Sequence, residues 1–158
     1  MNKQILGIFV AILVVAISVM PISSVCAIMP IKITVQGSHF PVGPGEMEPI
    51  VAGESGNLLL KVKEWTDIFT GDINGIAKYS GNWLLKASGD SNIIGYWEFE
   101  EVTIAGIGTG SLRIGQNNLD LWIESGTCEL SGIRGKGLAT EIIPNIKYDV
   151  QFEIYYFP

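Results

Sequence analysis

Ser125-Gly126-Thr127-Cys128-Glu129-Leu130-Ser131-Gly132-Ile133-Arg134-Gly135-Lys136-Gly137 is the stretch whose reading decides the fold. Its four glycines, Gly126, Gly132, Gly135 and Gly137, stand around two apolar residues, Leu130 and Ile133. Glycine tolerates the positive φ that lets a chain double back, so Gly132 and Gly135 are the expected turning points. Ile133 is then free to face inward while Arg134 and Lys136 face water. The segment reads as a bulged crossing between two strands, with Arg134 and Glu129 close enough to form an exposed pair.

The flanks of this crossing are strands. Before it, Leu119, Leu121 and Ile123 alternate with Asp120, Trp122 and Glu124. After it comes the apolar segment 138–143. At the end of the chain Tyr148, Val150, Phe152, Ile154 and Tyr156 share one face, and Asp149, Gln151 and Glu153 the other. A period of two over this length marks a half-buried strand. The same pattern appears in Ile31, Ile33 and Val35, and in Leu58, Leu60 and Val62. Residues 69–79, 83–85 and 96–107 continue it, and Gly108-Thr109-Gly110 bends the chain before Leu112 and Ile114. Residues 37–56, rich in glycine and proline, read as a long irregular loop. With no sustained helical period, about eight strands emerge. The 19 glycines exceed the usual ~7% share. They are spaced along strands, which suits bent antiparallel strands closing into a barrel. A β-sandwich is the alternative.

Residues 1–27 stand apart. Lys3 is the only charge before Lys32, an apolar run follows it, and Val25-Cys26-Ala27 offers small residues at its end. These are the parts of a secretory signal cleaved after Ala27. The alternative is an uncleaved anchor over residues 4–31, longer than the ~20 residues a bilayer requires. The expected organisation is therefore a leader over 1–27, a first strand and loop over 28–56, and the rest of one β-barrel domain over 57–158. The expected location is secreted or at the cell surface, with membrane attachment only if the leader is retained.

Charge narrows the partners. The chain has 10 basic and 16 acidic residues, a net charge of −6. An acidic domain without a basic cluster repels phosphates, so nucleic acid is excluded as a partner. Cleavage removes Cys26 and leaves Cys128 without an internal disulfide partner, so Cys128 reads as a small buried hydrophobe. The single histidine, His39, falls in the expected loop and reads as exposed. One histidine and one cysteine do not make a typical zinc site, and no metal or other cofactor is expected. Residues 106–110 lack the glycine spacing and following helix of a dinucleotide loop.

The carboxylates Glu98, Glu100 and Glu101 lie beside Trp97 and Phe99. Simple alternation puts Trp97, Phe99 and Glu101 on one face. If that face is inward, Glu101 is a buried carboxylate with a raised pKa, fit for acid–base work. Trp97, Phe99 and Glu101 are then the candidate ligand-binding residues and Glu101 the candidate catalytic one. The competing reading is a solvated acidic face.

The run Gly126-Thr127-Cys128-Glu129-Leu130 followed by Ile133-Arg134-Gly135-Lys136-Gly137 resembles the signature of the allene oxide cyclase and dirigent barrel superfamily. It looks closest to an uncharacterised bacterial and archaeal branch. Phe69-Thr70-Gly71-Asp72-Ile73-Asn74-Gly75 resembles an earlier strand of that branch. The resemblance spans roughly residues 57–157. It departs at Cys128, where the motif often has glycine. It implies an eight-stranded antiparallel barrel, often oligomeric, and no single activity. In the plant members, polar residues inside the barrel orient a reactive intermediate, but none of those residues can be matched here. The expected function is an exported, non-enzymatic barrel that binds a small apolar ligand or a partner protein. The alternatives are an isomerase or cyclase acting by confinement, and a membrane-tethered structural module.

Overall fold

The computed structural model describes residues 29–43, 45–52, 56–143 and 146–158. The expected leader, and nearly all of the alternative anchor, lie outside the described residues. Nine strands run in chain order: β1 (Ile31–Gly43), β2 (Glu46–Ala52), β3 (Asn57–Gly71), β4 (Ile73–Leu85), β5 (Ser91–Ile104), β6 (Gly108–Asn117), β7 (Asp120–Gly126), β8 (Arg134–Ile143) and β9 (Lys147–Tyr156). They form one antiparallel sheet in the order β1-β9-β8-β7-β6-β5-β4-β3-β2. β1 also pairs with the second half of β3, from Gly37↔Gly71 to Gly43↔Thr66. That pairing closes an eight-position barrel and rules out the sandwich. β2 pairs with the first half of β3, from Glu46↔Lys63 to Ala52↔Asn57, so β1 and β2 share one position in the wall.

The loop expected over 37–56 is thus mostly strand. Pro41 and Pro49 stand where a missing N–H does no harm. β1 pairs with β9 only as far as His39, so Pro41 has one strand neighbour, β3. Pro49 lies on β2, which pairs with β3 alone. Proline is tolerated at such one-sided positions.

The barrel interior is filled by one residue from every other position. Val35, Phe69, Ile73, Ala77, Phe99, Ile114, Ile123, Val150, Phe152 and Ile154 are among those buried there. β8 faces this core with glycines. A Cβ on Gly137 would lie 2.6 Å from the Phe152 ring and 2.5 Å from the Gln151 carbonyl oxygen, closer than atoms can approach. The missing side chain on β8 is what admits the Phe152 ring.

The 125–137 crossing closes one end of the barrel. A single 3-10 turn, Cys128–Leu130, links β7 to β8. Leu130 and Ile133 are fully buried in the core, as expected for Ile133. Gly126 packs beneath the turn, and Arg134 is exposed at the start of β8. Thr127 accepts a hydrogen bond from the Ser111 N–H at 3.2 Å, tying the turn to β6. Three details differ from expectation. Gly132 has φ +76°, but Gly135 lies in β8 without positive φ, and the second left-handed residue is Cys128 at φ +54°. Cys128 is exposed, because the turn aims its side chain outward. Glu129 accepts the Thr109 N–H at 2.7 Å, while Arg134 donates to the Ile133 carbonyl at 2.8 Å. So Cys128 departs from the motif in residue type while keeping a glycine-like backbone. Left-handed geometry costs a side-chain-bearing residue about 1–2 kcal/mol, partly offset by glycine's freedom in the unfolded chain. Cys128→Gly is therefore expected to stabilise the protein by about 0.5–1 kcal/mol, readable as a higher urea midpoint at unchanged slope.

Two bulges reset which residues face inward. In β3 the register slips between Val62 and Trp65, with Glu64 at φ +52°. Val62 faces the core before the slip, and Asp67 and Phe69 face it afterwards. In β5 the register slips between Phe99 and Val102. Two residues there oppose one, which turns both Glu100 and Glu101 outward and brings Val102 and Ile104 in.

Candidate ligand-binding site

Among the described residues, the end of the barrel opposite the 3-10 turn is open. It holds a cavity of about 680 Å³, bounded by the later part of β1, the middle of β3, the end of β4, the start of β5 and the start of β9. Its walls are aromatic. Trp65 and Trp83 lie 6.1 Å apart between ring centroids, and Tyr79 sits 6.3 Å from Trp83 and 5.0 Å from Trp97. Ile93, Leu85 and Leu119 add aliphatic surface.

Three buried polar side chains line this cavity: His39, Asp67 and Gln116. His39, 6% exposed, is sandwiched between the rings of Phe69 (5.1 Å) and Tyr148 (4.9 Å), with the edge of Trp97 at 5.2 Å. Asp67, 5% exposed, accepts the Trp97 indole N–H through Oδ2 at 2.5 Å. His39 Nδ1 lies 3.7 Å from Asp67 Oδ2, beyond hydrogen-bond reach. Among the described residues, His39 Nδ1 and Asp67 Oδ1 have no hydrogen-bond partner. The Trp65 indole nitrogen is in the same condition. At the rim Tyr148 donates its hydroxyl to Glu141 at 3.0 Å, and Gln116 donates to the Asn118 carbonyl at 2.8 Å.

Burial governs the electrostatics. It lifts the Asp67 carboxyl from 3.8 to about 6, against the opposing pull of the Trp97 hydrogen bond. It lowers the His39 imidazole from 6.5 to about 4. It raises the Tyr79 hydroxyl to about 12, with the Trp83 hydrogen bond opposing and the Asp67 charge adding. At neutral pH the site therefore holds an ionised carboxylate, a neutral imidazole and a neutral phenol. Buried polar groups in folded proteins are almost always paired, so two such groups side by side in the lining of a cavity make this the candidate functional site.

The residues expected at the site are dispersed. Trp97 lines the cavity. Phe99 lies deeper, in the packed core against Phe69 at 5.0 Å. Glu101 is exposed, because the β5 bulge turns it out of the barrel, so it has no access to the interior. Glu98 is also outside, where it pairs with Arg113 at 2.8 Å. His39, expected in an exposed loop, is buried on β1. One signal for His39 is in the sequence: extending the Ile33, Val35 alternation across Gly37 lands on residue 39. Asp67 leaves no such signal, because the β3 bulge inverts the alternation before it.

No protein-family model matches this sequence. No curated protein matches it either. Among solved structures, the fold is similar to a protein of unknown function of the DUF3224 family from Shewanella oneidensis MR-1. The two are 20% identical, the likeness covers 82% of this chain and 98% of that one, and the TM-score is 0.48.

Proposed function

We propose that this chain is a ligand-binding barrel that takes a small, mostly apolar molecule through its open end. The observation that carries this reading is an aromatic cavity of about 680 Å³ whose lining includes two buried titratable side chains, His39 and Asp67. Apolar walls with a few convergent polar groups are the usual make-up of a small-molecule site. The closed end supports the same reading. Leu130 and Ile133 are fully buried there, at the end away from the cavity.

Three of the four tryptophans line the cavity, so intrinsic fluorescence reports on occupancy. Titration with a neutral apolar fluorophore such as 1-anilinonaphthalene is expected to quench that emission saturably. Trp83→Leu is expected to weaken the effect several-fold with little change in fold. Unquenched, unshifted tryptophan emission at saturating probe would overturn the reading.

A second reading is favoured by one specific observation. A carboxyl titrating near 6 beside a neutral imidazole can exchange a proton with a confined substrate. Within the superfamily that the hairpin resembles, this supports an isomerase or cyclase, with Asp67 in the role first considered for Glu101. Turnover lost in Asp67→Asn while binding persists would separate this reading from simple binding.

Export of the barrel rests on the leader-like composition of residues 1–27. N-terminal sequencing of the protein recovered from the cell exterior tests it, since a Met1 start would favour a membrane tether.

A further inference from the structure

We infer that the molecule bound in the open end is an organic cation, a protonated amine whose ammonium sits against Asp67 and whose apolar body lies among Trp65, Trp83 and Tyr79. This deepens the binding reading above and rests on it.

Among the described residues, the lining carries two carboxylates, Asp67 and Glu141, and no lysine or arginine. The groups shown beside Asp67 are uncharged at neutral pH: the His39 imidazole, the Tyr79 phenol and the Trp97 indole. His39 does not serve as the counter-ion, because its burial between two rings keeps it neutral. A carboxylate held in an apolar site with one oxygen unpartnered is costly unless a cation or donor completes it. Indole and phenol faces attract cations as well as apolar surface, and the lining holds three indoles and two phenols together with Asp67. The net charge of −6 adds a long-range attraction for cations. An anionic ligand would meet two carboxylates and no basic side chain within the cavity.

The test uses three probes on one carbon framework, added to the full-length chain: phenethylamine, 2-phenylethanol and 3-phenylpropionate. Binding is followed by the NMR shifts of the tryptophan indole N–H signals. The amine is expected to bind roughly tenfold or more tightly than the alcohol, with the carboxylate weakest. In Asp67→Asn, which keeps an oxygen for the Trp97 indole, the amine is expected to fall to within about twofold of the alcohol. Saturable binding in which the alcohol or the carboxylate equals the amine would overturn the cation assignment while leaving the pocket reading intact. If none of the three probes moves an indole signal at millimolar concentration, both readings fall together. The ranking in the unmodified protein stands independently of how the variant folds.

Discussion

Asp67→Asn and His39→Phe are expected to give stability profiles of opposite slope between pH 4 and pH 8. Asp67 has its folded pKa raised to about 6 from 3.8. Its contribution is therefore fully present below pH 3.8 and is lost as pH rises to about 6. His39 has its folded pKa lowered to about 4 from 6.5. Its contribution is present above pH 6.5 and is lost as pH falls towards 4. At about 1.4 kcal/mol per pH unit, each group is worth about 3 kcal/mol across its window. In the unmodified protein the two slopes offset one another, so the contribution of this pair stays nearly level from pH 4 to pH 6.5. Asparagine at 67 keeps the acceptor for Trp97 and removes the carboxylate titration. This variant should lose stability on acidification through the remaining His39, and should exceed the parent by about 3 kcal/mol at pH 8. Phenylalanine at 39 preserves the stack with Phe69 and Tyr148 and removes the imidazole. That variant should gain stability on acidification. Thermal midpoints at half-unit pH intervals would resolve both, since 3 kcal/mol corresponds to roughly 10 °C in a domain of this size. Parallel profiles for all three proteins would show that neither group is buried as described.

Phe152→Ala is expected to destabilise the barrel by about 3–5 kcal/mol, the usual range for a large ring removed from a closed core. Phe152 is fully buried, and its ring lies over Gly137 on the neighbouring strand. The glycine is held small by two contacts at once, the ring and the Gln151 carbonyl, so β8 has no side chain there to fill the void. Collapse around the cavity is correspondingly limited, which places the cost towards the upper part of the range. Urea denaturation measures it. A loss below about 1 kcal/mol would mean that the core relaxes around the missing ring.

The parts of this structure legible in the sequence are those set by uninterrupted alternation. β9 is the clearest case, with Val150, Phe152 and Ile154 buried as the pattern requires. The crossing at 125–137 was legible for a related reason. Leu130 and Ile133 are its only apolar aliphatic side chains, and both are fully buried. The expectation failed where a strand slips by one residue. The slip at Lys63 and Glu64 brings Asp67 inside, and the slip at Glu100 and Glu101 turns the expected carboxylate out. A shift of one position exchanges the two faces of a strand, so a site residue beyond a bulge is inverted by any reading that assumes strict alternation.

By itself the sequence determined the all-β class, the closing turn around Ile133 and the acidic character of the chain. These depend on residue type and local period, which are properties of the chain alone. Only the tertiary structure decided which carboxylate enters the barrel and that His39 meets it there. Closure brings β1 against β3, pairing His39 with Phe69 and setting its ring beside Asp67. That proximity joins positions 39, 67 and 97 through bulges and long-range strand pairing, and no local pattern in the chain encodes the register at which they meet.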